Sequence, residues 1–281
     1  MQRMTCAVVL AAVMVVSASS TPGARQGEQT DRHTALDRIL DVYVRDGYVY
    51  YKALKASRAP LDQYVTSLDV APDVLARMTE NERRAFWINA YNAIVLRTVI
   101  NAYPIQGKAA AYPASSVGQL PGAFDKIKHR VAGQVLTLDE IENLLAGLGD
   151  ARLLLALGRG TIGSARLRSE VYRGARLDEQ LNDAVKGFVR SARNFSIDRD
   201  ANTVKVTPLL GWRGPHFIAG FASAAGSEVW ANRSPIERAV AAMAFPYMFP
   251  SEKALLTQNT FQMTFGEYDW RLNDLTGGIP E

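Results

Sequence analysis

Asn89 and Asn92 are the first residues in this sequence whose type and spacing could do chemistry, because they stand three apart in an otherwise apolar stretch (Phe86, Trp87, Ile88, Tyr91, Ile94, Val95, Val99). Asparagine is a poor helix former, and two carboxamides on one face of a buried helix need partners. They either tie down a neighbouring loop or face a ligand cleft. A second pattern is Gly158-Arg159-Gly160-Thr161-Ile162-Gly163, the G-x-G-x-x-G spacing of a phosphate-cradling turn, directly after the apolar run of residues 153–157. Its context argues against dinucleotide binding. The acid at the right distance, Asp178, opens a helical stretch where a second parallel strand should end. Gly158, Gly160 and Gly163 are therefore read as glycines of a tight loop, and no cofactor is assigned. Ser164 follows Gly163 but lacks the second glycine of a nucleophile elbow. The three histidines, His33, His129 and His216, have no metal-binding spacing, and the single cysteine, Cys6, rules out a thiolate zinc site or a disulfide within the chain, so no metal is assigned.

These residues need elements to hold them. Thr79 and Glu82 form an S/T-x-x-E capping box and Tyr103-Pro104 is a stop signal, which predicts a central helix over 80–102. The same box recurs at Thr137/Glu140, predicting a helix over 141–148, and at Ser234/Glu237 with Pro235 at the first helical position. Leu36, Ile39, Leu40 and Tyr43 mark a helical face, with Gly47 read as its C-terminal cap, Asp46-Gly47-Tyr48-Val49-Tyr50-Tyr51 as a turn into a short extended segment, and a short helix expected over 60–68. Leu177, Leu181, Val185 and Phe188 mark another helix. Residues 153–157 are read as a buried strand, 195–197 and 204–206 as a hairpin, and Phe261, Met263 and Phe265 as a late strand. Residues 109–122, with Pro113, Gly118, Pro121 and Gly122, read as a long loop or flap. The fold class is α+β or mixed α/β: one domain, mostly helical, with a small sheet around a central buried helix.

At the N-terminus, Arg3, an apolar run over residues 6–16 and Ser17-Ala18-Ser19-Ser20 read as a signal peptide over 1–20. A flexible lead-in over 21–33 and a folded domain over 34–281 follow. Export to a periplasmic or extracellular space is expected, and Cys6 would leave with the peptide. The 48% apolar and 21% charged composition is that of a globular chain, and no later apolar run is long enough to span a bilayer. The net charge of +4 is spread among acids with no basic stripe, so a nucleic-acid partner is not expected.

Several phrases together resemble the DUF547 family, whose biochemical activity is not established. They are Tyr43-Val44-Arg45-Asp46-Gly47 with Tyr51-Lys52-Ala53-Leu54, then Ala85-Phe86-Trp87-Ile88-Asn89-Ala90-Tyr91-Asn92-Ala93, Phe124-Asp125-Lys126, the run Leu136 to Glu142, Leu167-Arg168 with Tyr172 and Leu177-Asp178, and Tyr268-Asp269-Trp270-Arg271-Leu272-Asn273. The resemblance implies a His after Ile141-Glu142, a second His on the following strand, an Asn-Cys pair ending that strand, and a later Cys followed by two prolines. This sequence has Asn143, Leu154, Gly158-Arg159, Ser164 and Ala165-Arg166 at those places. A Cys beside a His would suggest thiolate chemistry, and here both residue types are replaced.

The residues left at the cleft implied by the resemblance are Asn89, Asn92, Asp125, Lys126, Asn143, Arg159 and Ser164. Asn89, Asn92, Lys126, Asn143 and Arg159 are the ligand-binding candidates; Arg159 is a fixed cation suited to a carboxylate or phosphate, or the partner of a surface acid. The leading expectation is a binding or accessory module, for an unknown small molecule or protein partner, that has lost the Cys/His centre. The alternative is a hydrolase or acyl-transfer enzyme with a rebuilt site using Asp125, His129 or Ser164, His129 being the imidazole near Asp125 in sequence.

Overall fold

The computed structural model describes the backbone of residues 24–276. The expected signal peptide over 1–20 lies outside the described residues. The chain divides into two compact units, Met1–Arg32 and His33–Glu281, and the core lies within the second. Helix α1 (Ala24–Tyr43) begins inside the stretch expected as a lead-in, so helix replaces coil over 24–33. Its Leu36, Ile39 and Leu40 are buried, and a helix anchored this way extends toward its N-terminus by one backbone bond per residue. A two-residue hairpin follows, β1 (Val44–Arg45) against β2 (Tyr48–Val49). Asp46 and Gly47 are both left-handed, with φ 52 and 85, the geometry of a tight hairpin turn. Gly47 thus turns a hairpin instead of capping α1.

Helices α2 (Tyr51–Ala56), α3 (Ala59–Ser67) and α4 (Pro72–Ala76) lead to α5 (Glu80–Ala102). The Thr79/Glu82 box is formed, with Thr79 N–H donating to Glu82 Oε2 at 2.7 Å and Thr79 Oγ1 accepting from Glu82 N–H at 3.3 Å. Every residue from Ala85 to Leu96 is buried, and α2, α3 and a later helix over Leu138–Ala146 pack around this helix, as its apolar content predicts. After the 103–128 loop comes the hairpin β3 (His129–Val131) and β4 (Gln134–Leu136), then α6 (Leu138–Ala146), capped by the Thr137/Glu140 box.

The apolar run expected as a buried strand is instead a 3-10 helix, Ala151–Ala156. A wholly apolar segment carries no period that separates strand from buried helix. Here Asp150 starts the turn, its carboxylate accepting from Arg152 N–H at 3.0 Å. Helix α7 (Leu177–Val189) buries Leu177, Leu181, Val185 and Phe188 as their spacing predicts. The expected hairpin is β5 (Phe195–Asp198) and β6 (Thr203–Val206), paired Phe195 to Val206 and Ile197 to Val204. Helices α8 (Leu209–Trp212), α9 (Gly214–Phe221), α10 (Pro235–Ala244) and α11 (Pro250–Gln258) follow, with the Ser234/Glu237 box formed on α10. The late strand β7 (Gln262–Phe265) returns parallel to β6 and makes a three-stranded sheet. The whole is a mixed α+β fold, about 52% helical with small sheets. Among the described residues no helix is long and apolar enough to cross a membrane.

Candidate functional site

The two α5 asparagines close entirely onto backbone. Asn89 Nδ2 donates to Tyr172 O at 2.8 Å, and its Oδ1 accepts from Tyr172 N–H at 2.9 Å. Asn92 Nδ2 donates to Ala156 O at 3.1 Å, and its Oδ1 accepts from Gly158 N–H at 2.8 Å. Each carboxamide mimics a peptide group and pins a loop to the central helix. Both are less than 4% exposed, so they serve the loop-tying role and leave no polar atom for a ligand.

The glycine-rich loop is pinned at its other end by the C-terminal segment. Ile162 N–H donates to Arg271 O and Gly163 N–H to Asp269 O, both at 2.9 Å, and Thr161 bridges antiparallel to Leu272. A Cβ on Gly163 would lie 2.8 Å from the Asp269 nitrogen, which explains the glycine as a close approach between two backbones. The element before the loop is the 3-10 helix, so the strand that a dinucleotide-binding turn requires does not precede it. Ser164 is buried, and its hydroxyl donates to Thr161 O at 2.8 Å.

Beside that loop stands a cluster of buried charge. Glu142 on α6 is 3% exposed, and its two oxygens are taken by two guanidiniums. Arg159 Nη1 donates to Oε2, and Arg213 Nε donates to Oε1 at 2.8 Å. Tyr91 of α5 donates to Oε2 at 3.4 Å. Arg159 also stands 3.9 Å from Asp139 and lies over the Phe124 ring, 4.6 Å from its centroid. Its buried Nε has no hydrogen-bond partner. Arg213 Nη1 reaches Asn143 Oδ1 at 3.1 Å. Burial pushes the Asp139 carboxyl above the usual carboxylate range, against the opposing pull of Arg159. Burial acts to lower the Arg159 pKa, but the surrounding Tyr91 and Glu142 hold it above the ordinary guanidinium value. Burial likewise raises the Tyr91 hydroxyl.

An aromatic array continues from this cluster. Tyr268, whose hydroxyl shares a 2.7 Å hydrogen bond with Thr161 Oγ1, packs 4.8 Å from Trp212 and 4.7 Å from Trp270 between ring centroids. Trp270 is in turn 4.9 Å from Tyr112 of the 109–122 loop, which Gln119 braces by accepting from Ala109 N–H at 2.9 Å and donating to Tyr112 O at 2.8 Å. Trp212, the residue before Arg213, is 47% exposed.

The residues expected from sequence are therefore divided. Arg159 and Asn143 meet through Glu142 and Arg213, and the exposed Asp125 is near enough for its charge to raise the Asp139 carboxyl. Lys126 is exposed on the same turn as Asp125, and among the described residues no side-chain bond holds it. Asn89, Asn92 and Ser164 are turned to backbone. His129 is buried on β3, where burial and the Arg97 charge lower its pKa to about 4 and its Nε2 has no partner. No hydrogen bond among the described residues joins it to Asp125, the carboxylate it is expected to serve as a base. A cleft of about 560 Å³ lined by Arg166, Arg168, Glu170 and Lys186 contains none of the cluster residues. Its Arg168 already pairs with Glu170, and Arg166 with Asp46.

The residues missed from sequence are Glu142, Asp139, Arg213, Trp212 and the ring of Tyr268. Glu142 had a signal: it lies four after Leu138 and three before Leu145, a carboxylate on the apolar stripe of an amphipathic helix. Arg213 had none, being 71 positions from the carboxylate it clasps.

Residues 75–189 match the family described as "Protein of unknown function, DUF547". No curated protein and no solved structure matches the chain. The matched segment carries Asn89, Asn92, Asp139, Glu142 and Arg159, whereas Trp212, Arg213, Tyr268 and Trp270 come from outside it.

Proposed function

We propose that this chain, matched to DUF547 over 75–189, is an exported binding or accessory module in which an ion cluster occupies the place of a nucleophilic centre. The observation that carries this reading is Arg159. Where the family resemblance implies a cysteine, the guanidinium is bonded to the buried Glu142, which Arg213 holds from its other oxygen. A permanently charged group with no lone pair cannot act as nucleophile or base, but it can orient a ligand. Asn143, Asp139 and Arg213 line the open side and offer both donors and acceptors.

A hydrolase or acyl-transfer enzyme using Asp125, His129 or Ser164 has less support. The Ser164 hydroxyl is committed to Thr161 O, and His129, its basicity lowered, makes no hydrogen bond to Asp125 among the described residues. The test is turnover by purified protein of peptide, ester and isopeptide substrates, with Arg159→Ala alongside. No turnover above the blank is expected from either protein; turnover that Arg159→Ala abolishes would overturn the reading. Export is tested by mass spectrometry of the protein recovered outside the cytoplasm. Its N-terminus is expected near residue 20, and an intact Met1 would sink the export part alone.

A further inference from the structure

We infer that the aromatic array led by Trp212 is a stacking subsite for a neutral saccharide, with Arg213, Asn143 and Asp139 as its hydroxyl-binding rim; this rests on the reading of the chain as a binding module. The rings pack on one another at an angle and leave one of them, Trp212, half open. Trp270 meets Tyr112 at 74° and Tyr268 at 63°, and Trp212 lies at 44° to Tyr268 and 31° to Trp270, whose centroid is 5.9 Å away, so among the described residues no two of these rings stand parallel to sandwich a flat aromatic ligand. One large ring, Trp212, is open to solvent over about half its surface while its neighbours hold it in place. A ring already ordered by packing costs little further entropy when a ligand covers it.

The rim decides between ligand classes. Arg159 and Arg213 face Glu142 and Asp139, two cations against two carboxylates, so the cluster presents no net field to attract a polyanion. It does present donors and acceptors side by side: the remaining Arg213 and Asn143 N–H groups, and the Asp139 carboxylate, 38% exposed. Vicinal hydroxyls both donate and accept, and the axial C–H face of a pyranose is apolar. A neutral sugar therefore satisfies the Trp212 face and the mixed rim together, where an anion would satisfy the arginines alone. A protein partner fits less well, because one half-exposed indole is far smaller than the roughly 1,000 Å² that a specific protein interface needs.

The experiment is a calorimetric and intrinsic-fluorescence titration of the full chain with neutral hexaoses of β-1,4-glucose, β-1,3-glucose, β-1,4-xylose, α-1,4-glucose and β-1,4-N-acetylglucosamine. At least one is expected to bind and shift tryptophan emission. Trp212→Ala should weaken binding by roughly tenfold or more and Trp212→Phe by less, while Phe249→Ala, an exposed ring elsewhere, leaves it unchanged. Thermal melts show whether each variant is folded. If no hexaose binds, or if binding survives Trp212→Ala, the saccharide inference is wrong. A parallel arm with citrate, glutamate and an acidic peptide separates the two readings. Arg213-dependent binding there with no sugar binding overturns the sugar while keeping the binding module. Silence in both arms counts against both.

Discussion

Two polar regions flank the loop at residues 156–163, and they are built on opposite principles. On the α5 side, Asn89 and Asn92 are neutral and meet only backbone, each filling one donor and one acceptor. On the α6 side, Glu142, Arg159 and Arg213 are charged, meet one another, and leave the Arg159 Nε without a partner. The first arrangement is complete and sealed. The second is incomplete and continues outward from Arg159 to Asp139 and from Arg213 to Asn143, with the exposed Trp212 next to Arg213 in the chain. Burial alone thus does not separate scaffold from site; what separates them is whether each polar atom already has its partner.

The largest expected effect tests the charged side. Glu142→Ala leaves two guanidiniums without their carboxylate and should cost about 3–5 kcal/mol by urea unfolding, because an uncompensated buried charge is the expensive case. The loss should be partly repaired in Glu142→Leu/Arg159→Leu, which removes the carboxylate with one of its two guanidiniums and leaves Arg213, whose side chain is 23% exposed. Asn92→Ala should cost about 2–3 kcal/mol by the same measurement, since the Gly158 N–H and Ala156 carbonyl lose their partner. No second side-chain replacement can repair it, because those partners are backbone. If Asn92→Ala is rescued by a neighbouring side-chain change and Glu142→Ala is not by Arg159→Leu, the contrast between the two regions collapses.

His129 sharpens the comparison from a third position. Its folded pKa of about 4 lies below the roughly 6.5 of an unfolded histidine, so between these values the unfolded chain binds the proton more readily. Its contribution to stability is full above about pH 6.5, declines as the pH falls toward 4, and levels off below. Replacing His129 with Phe should flatten that part of the pH–stability curve by on the order of 1–3 kcal/mol. An unchanged curve would place the acid sensitivity elsewhere. The smallest stability effect belongs to Trp212→Ala, expected below about 1 kcal/mol because the ring is half exposed. A loss of several kcal/mol would mark Trp212 as scaffold and remove the reason to treat the array as a surface for ligands.

How much of this was legible followed from how local each signal was. The capping boxes at Thr79, Thr137 and Ser234 are read within four residues, and all three start helices. The β5–β6 pairing is a hairpin, again a local contact. Residues 153–157 read as a strand, and Ala151–Ala156 is a 3-10 helix, because buried 3-10 turns and buried strands share the same apolar content. At Gly47 the turn into an extended segment is formed and the helix cap is not, because a left-handed glycine serves caps and hairpins alike. For the site, the resemblance brought out Arg159 and Asn143, but nothing near Glu142 in sequence announces Arg213. Two carboxamides on an apolar helix are visible in sequence; whether they point at a loop or a ligand depends on residues 64 to 83 positions away.

The lacing of residues 269–274 to distant parts of the chain also fixes an order of assembly. Thr161 bridges to Leu272, Val49 to Asp274, and the Tyr51 hydroxyl donates to Asn273 Oδ1 at 2.8 Å, contacts that span more than 100 and more than 220 positions. During synthesis Arg159 and Glu142 leave the ribosome well before Tyr268 and Trp270, so the ion cluster precedes the wall that flanks it.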